Sequence, residues 1–391
     1  MDTEALKKER IQNLIDATSF REPKKVPVGA EILTWPFSYA GVRYADVMDD
    51  PVKTANAYVR FLDDIHLDFL WGGGVTASVK ALQAMGCTYY DLAMDGTAII
   101  HKQPEVEFMK TEEYPDLIGN FEEFKISMIR RRAKALQLPR DQAYKQVLTA
   151  LKELRIYVDA NAMISKYIFE EKGIAQLTGS PIMFLGPLSV LFDKYRGIRD
   201  TLIDLRRRPE VVKQACEVIL EDRTKVIKSL DPKDYGAPHP LASTVFHVEC
   251  FLSPGQFDEY YFNQFKQLCL PFMEAGAKFF VKGEGSFIRI LDRFRQLPRG
   301  SIVFMLDQDD PFEVYKEIGD WQTIATGITT DLMRVGTKAQ CVDYVKRSFD
   351  TFAPGGGFIF MQNKPLLCAS DVKTENLLAV YETANELSLK R

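Results

Sequence analysis

The sequence predicts an α/β fold, and within that class a (β/α)8 TIM barrel with an N-terminal helical extension and a helical insertion. Short apolar runs recur along the chain, and in its second half each is followed by a stretch with helical periodicity. Uninterrupted apolar runs of this length are typical of strands that helices cover on both faces of a parallel sheet. There are eight such runs, as many as a closed barrel of this kind requires. They lie at 27–34, 67–74, 181–187, 243–250, 277–285, 301–309, 323–330 and 356–363.

Length and composition agree with a single barrel domain over residues 1–391. The chain is 46% hydrophobic, enough for a large core, and its formal net charge is −4. Because no basic field is present, we expect neither nucleic acid nor a membrane surface as a partner. No apolar stretch reaches the about 18 residues of a membrane span, and the N-terminus has no signal-peptide pattern, so a cytoplasmic location is expected. The six cysteines contain no CxxC motif, which indicates reduced thiols.

The first half of the chain is predicted from local signals. Residues 35–51 are aromatic and aperiodic, as expected of a long loop after the first strand. The turn pair Asp95–Gly96 predicts a hairpin between two short β-runs. Residues 110–175 are mostly helical in pattern and too long for one barrel helix, so we expect an insertion that forms a lid or a dimer surface. Further helices are expected at 3–17, within the extension 1–26, at 52–66 and near 76–85.

Helix starts in the second half are marked by capping residues. Ser253 and Gln256 have the spacing of a capping box around Pro254. Asp309 and Asp310 are placed to cap a helix that begins at Pro311, and Asp371 is placed to cap the last helix.

Polar residues that carry chemistry follow the apolar runs. In a (β/α)8 barrel the carboxyl ends of the strands form one rim, and active sites are found on that rim. The pattern therefore predicts an enzyme. The residues concerned are His247, Glu249, Cys250, Lys282, Glu284, Asp307, Asp309 and Asn363.

Three segments of the chain resemble the uroporphyrinogen decarboxylase superfamily. They are LGPLSVLFDKYRGIRDTLIDLRRRPEVVKQACEVIL at 185–220, VGTKAQCVDYVKRSFDTFAPGGGFIF at 335–360 and DVKTENLLAVYETANEL at 371–387. The resemblance extends over most of residues 20–390 and implies a (β/α)8 barrel. It also implies one of two activities: decarboxylation of a tetrapyrrole, or methyl transfer to or from a corrinoid on a separate protein, commonly with zinc.

The first departure from the decarboxylase branch is a missing arginine loop. Decarboxylases of the family carry an Arg-rich sequence after the first strand, whereas this chain reads PVGAEILTWPFSYAG, with no arginine before Arg43. A substrate with many carboxylates needs several guanidinium groups, so uroporphyrinogen is disfavoured. Trp35, Phe37 and Tyr39 could instead form an apolar pocket for an aromatic ring, or they could pack the loop onto the barrel. Trp71 and Asn363 are further candidates for substrate binding.

The second departure concerns the metal that the resemblance implies. Family members that use zinc carry His-x-Cys after one strand and a cysteine in a later PGCG motif. Here the first motif reads His247-Val248-Glu249-Cys250, and Gly356 occupies the position of the later cysteine. Positions 247 and 249 of a strand face the same side, so His247, Glu249 and Cys250 could hold a zinc ion with an open position. The alternative is a hydrogen-bonded structural histidine.

Glu284 and Asp307 are the catalytic candidates. The resemblance associates an acidic residue at each place with the members that cleave methyl ethers. Each could complete a metal shell or act as a general acid. The alternative is a salt bridge at the rim, for instance between Lys282 or Arg289 and a carboxylate.

These observations favour the substrate methyltransferase of a corrinoid-dependent O-demethylase. Such an enzyme cleaves a small aromatic methyl ether and passes the methyl group to the Co(I) corrinoid of a partner protein, and zinc and a homodimer are compatible with it. The chain itself carries no nucleotide-binding motif. The alternatives are another methyl donor (methanol, a methylamine, a methyl thiol or a methyl halide), decarboxylation, and a non-catalytic tetrapyrrole-binding module.

Overall fold

The computed structural model describes residues 2–102, 108–231 and 238–389, with the side chains of residues 180–182 left out. The fold is α/β, with short parallel strands that alternate with helices. Each predicted apolar run except the last overlaps a strand. The strands are β1 (Gly29–Ile32), β2 (Phe69–Gly72), β3 (Tyr90–Leu92), β4 (Ile99–His101), β5 (Ala175–Gln176), β6 (Thr178–Met183), β7 (Leu241–Phe246), β8 (Phe279–Gly283), β9 (Ile302–Leu306) and β10 (Thr323–Ile324).

The parallel strands form a three-stranded sheet in the order β1-β2-β5 and a five-stranded sheet in the order β10-β9-β8-β7-β6. The run at 356–363 was predicted as a strand, but in the described residues it forms only isolated parallel bridges. Phe358 bridges to Ile324 on one side, and Phe360 bridges to Val28 on the other. This run therefore lies between β10 and β1.

The α-helices largely follow the predicted periodicity. They are α1 (Thr3–Thr18), α2 (Trp35–Tyr39), α3 (Tyr44–Val47), α4 (Pro51–Val59), α5 (Val79–Ala84), α6 (Tyr114–Gly119), α7 (Phe121–Arg132), α8 (Arg140–Ser165), α9 (Pro187–Val190), α10 (Ile198–Arg207), α11 (Pro209–Lys228), α12 (Pro254–Phe257), α13 (Asn263–Glu274), α14 (Pro311–Ile318), α15 (Thr330–Val335), α16 (Lys338–Phe352) and α17 (Thr374–Ser388). Shorter 3-10 helices lie at Arg60–Asp63, Thr111–Glu113, Lys134–Gln137, Glu249–Phe251, Ile288–Gln296 and Ala369–Asp371, and π-helices lie at Lys166–Glu171, Leu191–Arg196 and Asp258–Phe262.

Local signals were right in several places. The hairpin is formed by antiparallel β3 and β4, and Asp95 accepts a hydrogen bond from the Thr97 amide at 3.0 Å in its turn. The capping box at Ser253 is present, and Asp310 caps α14. The segment 111–171 is mostly helical, as predicted, while its role as an insertion stays a prediction.

Three local predictions were wrong. Residues 35–51 form the short helices α2 and α3 instead of a long loop, with Pro36 in the first turn of α2, where its missing N–H has no cost. Asp309 accepts hydrogen bonds from Ser286 and the Phe287 amide and does not cap α14. Asp371 binds the amides of the preceding turn, and Lys373 occupies the N-cap of α17.

Helix α1 covers the amino ends of the strands. The carbonyl of Ala17 accepts a hydrogen bond from the Gly357 amide at 2.7 Å. The ammonium of Lys278 donates to the carbonyl oxygens of Thr18 at 2.6 Å and Gly300 at 2.8 Å. The N-terminal extension is thus fixed to the end opposite the carboxyl edge.

Apolar side chains from both parallel sheets pack together in one buried cluster. Phe280, Val303 and Met305 are fully buried there, beside Leu14 and Ala17 of α1. Complete burial of such a side chain stabilises the fold by about 1.5–3 kcal/mol, so this cluster holds the sheets and α1 together. A second, larger core lies between the strands and the outer helices.

No helix within the described ranges is long and apolar enough to cross a membrane. All six cysteines carry free thiols, as the absence of paired motifs predicted.

Candidate functional site

Strand register brings three predicted site residues to one edge. Phe246 of β7 is opposite Gly283 of β8, which is opposite Leu306 of β9. The residues that directly follow these strand ends are therefore His247 after β7, Glu284 after β8 and Asp307 after β9. The Glu284 amide donates to the Phe246 carbonyl at 2.9 Å, and the Asp307 amide donates to the Gly283 carbonyl at 3.1 Å. The three side chains thus follow neighbouring parallel strands at their carboxyl ends, as the rim argument predicted.

His247 lies between two carboxylates. Its Nδ1 is 3.0 Å from Oδ1 of Asp193, and its Nε2 is 3.2 Å from Oε2 of Glu284. Burial alone lowers the pKa of the imidazole, but the hydrogen bonds to Asp193 and Glu284 outweigh burial and raise the pKa to about 10. His247 is therefore an imidazolium at neutral pH, and both of its ring nitrogens donate.

Glu284 is held as a carboxylate by two cations. Its second oxygen, Oε1, lies 3.3 Å from the ammonium of Lys282. Partial burial raises the pKa of Glu284, but the hydrogen bond from His247 and the charge of Lys282 act more strongly together and lower it to about 2. Of the two roles predicted for Glu284, that of general acid does not fit this ionised state.

Lys282 continues the network to Glu31 inside the sheet. The ammonium of Lys282 is 3.1 Å from Oε1 of Glu31 and 5.3 Å from the ring centroid of Trp71. Glu31 is only 5% exposed, and desolvation raises its pKa to about 7 despite the charge of Lys282. The result is a continuous chain of five ionisable side chains, the rim network. Its members in order are Asp193, His247, Glu284, Lys282 and Glu31.

Asp307 and Asn363 are joined at the next strand end. Oδ1 of Asp307 accepts a hydrogen bond from the Gly285 amide at 2.6 Å, and burial raises the pKa of Asp307. The amide of Asn363 donates to the Asp307 carbonyl at 2.7 Å and accepts from the Thr330 amide at 2.8 Å. Asn363 is buried and also accepts a hydrogen bond from the Thr330 hydroxyl at 3.2 Å, so it links the loop that carries Asp307 to the start of α15.

A polar cavity of about 460 Å³ opens beside these residues. Glu284 and Asp307, the predicted catalytic residues, line it, and their catalytic role stays a prediction. Its charged lining residues are Lys282, Glu284, Asp307, Asp331, Arg334, Lys364 and Asp371. A cavity with four acids and three cations can hold a polar group of a substrate and exchange protons with it.

The side chains of the three residues predicted to hold zinc do not converge on one position that an ion could occupy. Strand β7 ends at Phe246 and a 3-10 helix begins at Glu249, so the alternation that would place residues 247 and 249 on one side has already ended. Glu249 is fully buried and accepts a hydrogen bond from Ser189 at 2.7 Å, and desolvation raises its pKa to about 7. The thiol of Cys250 donates to the carbonyl of His247 at 3.1 Å.

Burial raises the pKa of Cys250 to about 11, so this side chain is a neutral thiol. No group of three His, Cys, Asp or Glu side chains suited to a metal ion occurs in the described ranges. In this arrangement His247, Glu249 and Cys250 do not fit a zinc ion, since the nitrogens of His247 already donate to carboxylates. Zinc binding stays a prediction.

Gly356, which was matched to the later cysteine of the family, lies at the opposite end of the strands. It is the first residue of the run at 356–363, and the amide of its neighbour Gly357 donates a hydrogen bond to the carbonyl of Ala17 in α1. A Cβ atom at Gly356 would lie 2.5 Å from the backbone oxygen of Arg21, and φ is +80°. The match was therefore wrong, because a side chain here cannot reach the carboxyl edge.

The aromatic residues of α2 pack into the core and do not line the polar cavity. Trp35 and Phe37 are 1% and 0% exposed, and Phe37 contacts the ring of Tyr44 at a centroid distance of 4.9 Å. Tyr39 donates a hydrogen bond to Asp64. Of the two alternatives from the sequence, packing describes this segment, and substrate contact stays untested. Trp71 differs, because it lies beside Lys282 at the rim network.

Two members of the rim network were missed from the sequence. Glu31 is a lone acid inside an apolar run, VGAEIL, and a charge there is a signal of a buried ion pair or a functional site. Asp193 lies in a π-helix, Leu191–Arg196, and such helices are frequent at functional sites but leave no sequence pattern.

Comparison with solved structures finds chains with a similar fold. A methyltransferase from Methanosarcina mazei aligns over 96% of this chain and 97% of its own, with a TM-score of 0.56 and 14% sequence identity. At this identity the likeness shows the fold alone. No family model matches the chain, and no curated protein matches it. The resemblance to the uroporphyrinogen decarboxylase superfamily therefore stays a prediction, while the α/β fold is shared with a methyltransferase.

Proposed function

We propose that this chain is a methyltransferase that cleaves an aryl methyl ether and passes the methyl group to a corrinoid on a partner protein. The observation that carries the proposal is the position of His247, a protonated imidazole between Asp193 and Glu284, of which Glu284 lines the polar cavity. The fold shared with a methyltransferase supports it. We further infer that the strands close into a (β/α)8 barrel, because the bridges of run 356–363 link β10 to β1, and Leu177 is hydrogen-bonded to both β2 and β7.

The proposed role of His247 is to give a proton to the ether oxygen. The oxygen replaces Oε2 of Glu284 as the acceptor of the Nε2 proton. When the bond between methyl carbon and oxygen breaks, its electron pair stays on the oxygen, and the Nε2 proton moves there to give a phenol. Asp193 keeps the imidazole oriented through Nδ1, and Glu284 stays ionised. A Co(I) corrinoid, when docked, would supply the nucleophile that accepts the methyl group.

The acidity of His247 suits a phenolic leaving group. A general acid must be protonated at the working pH, and its pKa relative to that of the group it protonates sets the driving force of the proton transfer. The pKa of His247 is raised to about 10, and an unperturbed phenol titrates near pH ~10. Asp193 still raises this pKa when the ether oxygen replaces Glu284 at Nε2, so the donor stays closer in acidity to a phenol than to an alcohol.

A methylated amine is a second candidate donor. Four carboxylates line the polar cavity, those of Glu284, Asp307, Asp331 and Asp371. A carboxylate-lined cavity favours a cationic ligand over a neutral one. The three cations of the same lining reduce this preference, so we place the aryl ether first.

The proposed reaction does not depend on zinc. His247 could bind a metal only after it loses a proton and its contact with Glu284, and no step above requires the metal. Metal analysis of the purified protein, compared with the Glu249→Ala variant, tests the predicted ligand set. A stoichiometric zinc ion that this variant loses would support the predicted ligands, and zinc retained by the variant would contradict them.

The activity is tested with a reduced corrinoid protein and guaiacol- or veratrole-type ethers. The expected result is methylation of the corrinoid and release of the phenol. His247→Gln should lower the rate about 100-fold or more, since a positioned general acid contributes at least that much. Asp343→Asn, an exposed acid paired only loosely with Lys346 at 3.8 Å, is the matched control. Absence of corrinoid methylation across a broad panel of ethers and methylamines would overturn the proposal.

A further inference from the structure

An apolar groove of about 700 Å³ lies between α5, the β3–β4 hairpin and α8, outside the polar cavity. We call it the α5–α8 groove. Ala81, Leu82 and Met85 form one wall, and Val147, Leu151 and Leu154 form the other. Leu151 is 54% exposed and Leu154 is 41% exposed, so large apolar side chains face solvent across an open space. Exposed apolar surface of this kind in a concave site is typical of a binding groove.

One end of the α5–α8 groove is basic. Arg132 and Lys194 line it, and no Asp or Glu of the described ranges does. The guanidinium of Arg132 donates to the backbone carbonyl of Lys194, and it lies 6.0 Å from the ring centroid of Tyr89. Within the described residues neither Arg132 nor Lys194 has a carboxylate within 4.0 Å. Two cations without ion-pair partners at the end of an apolar groove favour an anion.

Aromatic rings flank the basic end. Tyr89 and Tyr90 line the groove, and both rings contact His101, at centroid distances of 4.2 Å and 4.9 Å. A flat ring that enters the groove would thus contact aromatic side chains beside the two cations. Offset and edge-on ring contacts add to the area buried by a ligand.

We propose that the α5–α8 groove binds an aromatic carboxylate, with its rings between α5 and α8 and its carboxylate at Arg132 and Lys194. The groove volume lies in the range of about 300–1,000 Å³ that is usual for small-molecule sites. A helix of a partner or of a second copy would lie along α8 and would not need two clustered cations at one end. The charge at that end therefore favours the small anion.

The groove adjoins the rim network. Lys194 lines the groove, whereas its neighbour Asp193 binds His247, so consecutive residues of one π-helix face the two sites. The charge of Asp193 also contributes to raising the pKa of Tyr89, after the effect of burial. The inference concerns binding alone and is independent of methyl transfer.

Titration calorimetry with 2-naphthoate and its uncharged analogue 2-naphthamide tests the inference on the full chain. We expect naphthoate to bind about ten-fold or more tightly than naphthamide, since a charge-assisted hydrogen bond contributes about that factor. Lys194→Met should reduce naphthoate binding about ten-fold and leave naphthamide unchanged. Leu151→Trp, which fills the groove, should abolish binding of both. Lys145→Met on the exposed face of α8 is the matched control and should change neither.

Arg132→Met should act like Lys194→Met, and thermal unfolding of each variant establishes whether it is folded. If Arg132→Met does not fold, Lys194→Met carries the test, because its side chain donates no hydrogen bond in the described residues. Equal affinity for the acid and the amide, or undiminished naphthoate binding by Lys194→Met, would overturn the inference. A concentration-dependent dimer that Leu151→Trp dissociates, without naphthoate binding by the wild type, would assign the groove to a second copy and overturn it as well.

Discussion

The imidazole of His247 and the carboxylate of Asp193 are 3.0 Å apart, although 54 residues separate them in the chain. This contact joins the end of β7 to the π-helix at Leu191–Arg196. It leaves Nε2 directed at Glu284, which lines the polar cavity. Asp193 therefore determines both the orientation and the charge of the group that we propose as the proton donor.

The first prediction concerns the charge of His247. Replacement of Asp193 by Asn removes a hydrogen bond to a carboxylate and a negative charge, which together raise the pKa of His247. We expect the pKa to fall from about 10 towards its ordinary value of 6.5, because burial and Glu284 then act alone. The measurement is an NMR titration of the histidine ring protons. Asp343→Asn serves as the control, and an unchanged pKa of His247 in Asp193→Asn would refute the assignment.

The second prediction concerns the pH dependence of stability. The folded-state pKa of His247 is raised from 6.5 to about 10, so the stability it contributes is complete below pH 6.5 and is lost as the pH rises towards 10. The folded-state pKa of Glu284 is lowered from 4.5 to about 2, so its contribution is complete above pH 4.5 and is lost as the pH falls towards 2. The pair therefore stabilises the fold most between pH 4.5 and 6.5.

Denaturant titrations of the wild type and His247→Gln at pH 6 and pH 10 measure this contribution. The side chain of His247 is 30% exposed, so solvent screening reduces the effect to about 1–3 kcal/mol. We expect the difference in free energy of unfolding between the wild type and His247→Gln to fall by that amount from pH 6 to pH 10. A difference between the two proteins that stays constant from pH 6 to pH 10 would count against the ion pairs of His247.

The third prediction concerns Lys282, which forms ion pairs with two carboxylates. Its ammonium is 3.1 Å from Glu31 and 3.3 Å from Glu284, and its side chain is only 12% exposed. Lys282→Met leaves buried Glu31 without a partner, which should lower the free energy of unfolding by about 3 kcal/mol. In the double variant Glu31→Gln/Lys282→Met the loss should be smaller, because no uncompensated charge is left on Glu31.

Lys316→Met is the matched control for that double-mutant cycle. Lys316 forms an exposed pair with Glu313 at 2.6 Å, and the loss of such a pair costs less than about 1 kcal/mol. Chemical denaturation at pH 8 compares this control with the four proteins of the cycle, which are the wild type, Glu31→Gln, Lys282→Met and the double variant. If Lys282→Met were no more costly than Lys316→Met, the buried network would have no energetic role.

The convergence of His247, Glu284 and Asp307 could be predicted from the sequence because it depends on strand register alone. Each lies near the carboxyl end of an apolar run and directly follows the last residue of its strand, and parallel strands place such positions at one edge. The apolar run itself shows where a strand lies, so the edge follows from the pattern. The α/β fold was predictable for the same reason.

The partners of these residues could not be predicted in the same way. Lys282 and Glu31 are 251 residues apart, and no periodicity relates them. The direction of Glu249 depends on β7 ending at Phe246, and strand ends are the least predictable part of a sequence pattern. The helix at Trp35–Tyr39 was missed because its aromatic composition is not typical of helices, and its stability comes from burial in the core.

The last prediction separates the cost of a positive φ from the cost of a steric clash, at two neighbouring glycines. Gly355 and Gly356 both have positive φ, +78° and +80°, a region that side chains with a Cβ enter at a cost of about 1 kcal/mol or more. A Cβ at Gly355 meets nothing within 4 Å, whereas at Gly356 it would lie 2.5 Å from the backbone oxygen of Arg21. Gly355→Ala should therefore lower the free energy of unfolding by about 1 kcal/mol. Gly356→Ala should lower it by at least about 1 kcal/mol more, because the backbone at Arg21, just after α1, must move.

The same comparison with cysteine tests whether position 356 can belong to a metal site. Gly356→Cys should be destabilised like Gly356→Ala and should gain no zinc relative to Gly355→Cys, because position 356 lies at the amino ends of the strands beside α1, whereas His247 follows the carboxyl end of β7. Denaturation midpoints and metal content of the four variants provide the measurement. A Gly356→Cys protein that kept wild-type stability and gained a zinc ion lost on His247→Gln would show that this glycine reaches the carboxyl edge, contrary to the fold described above.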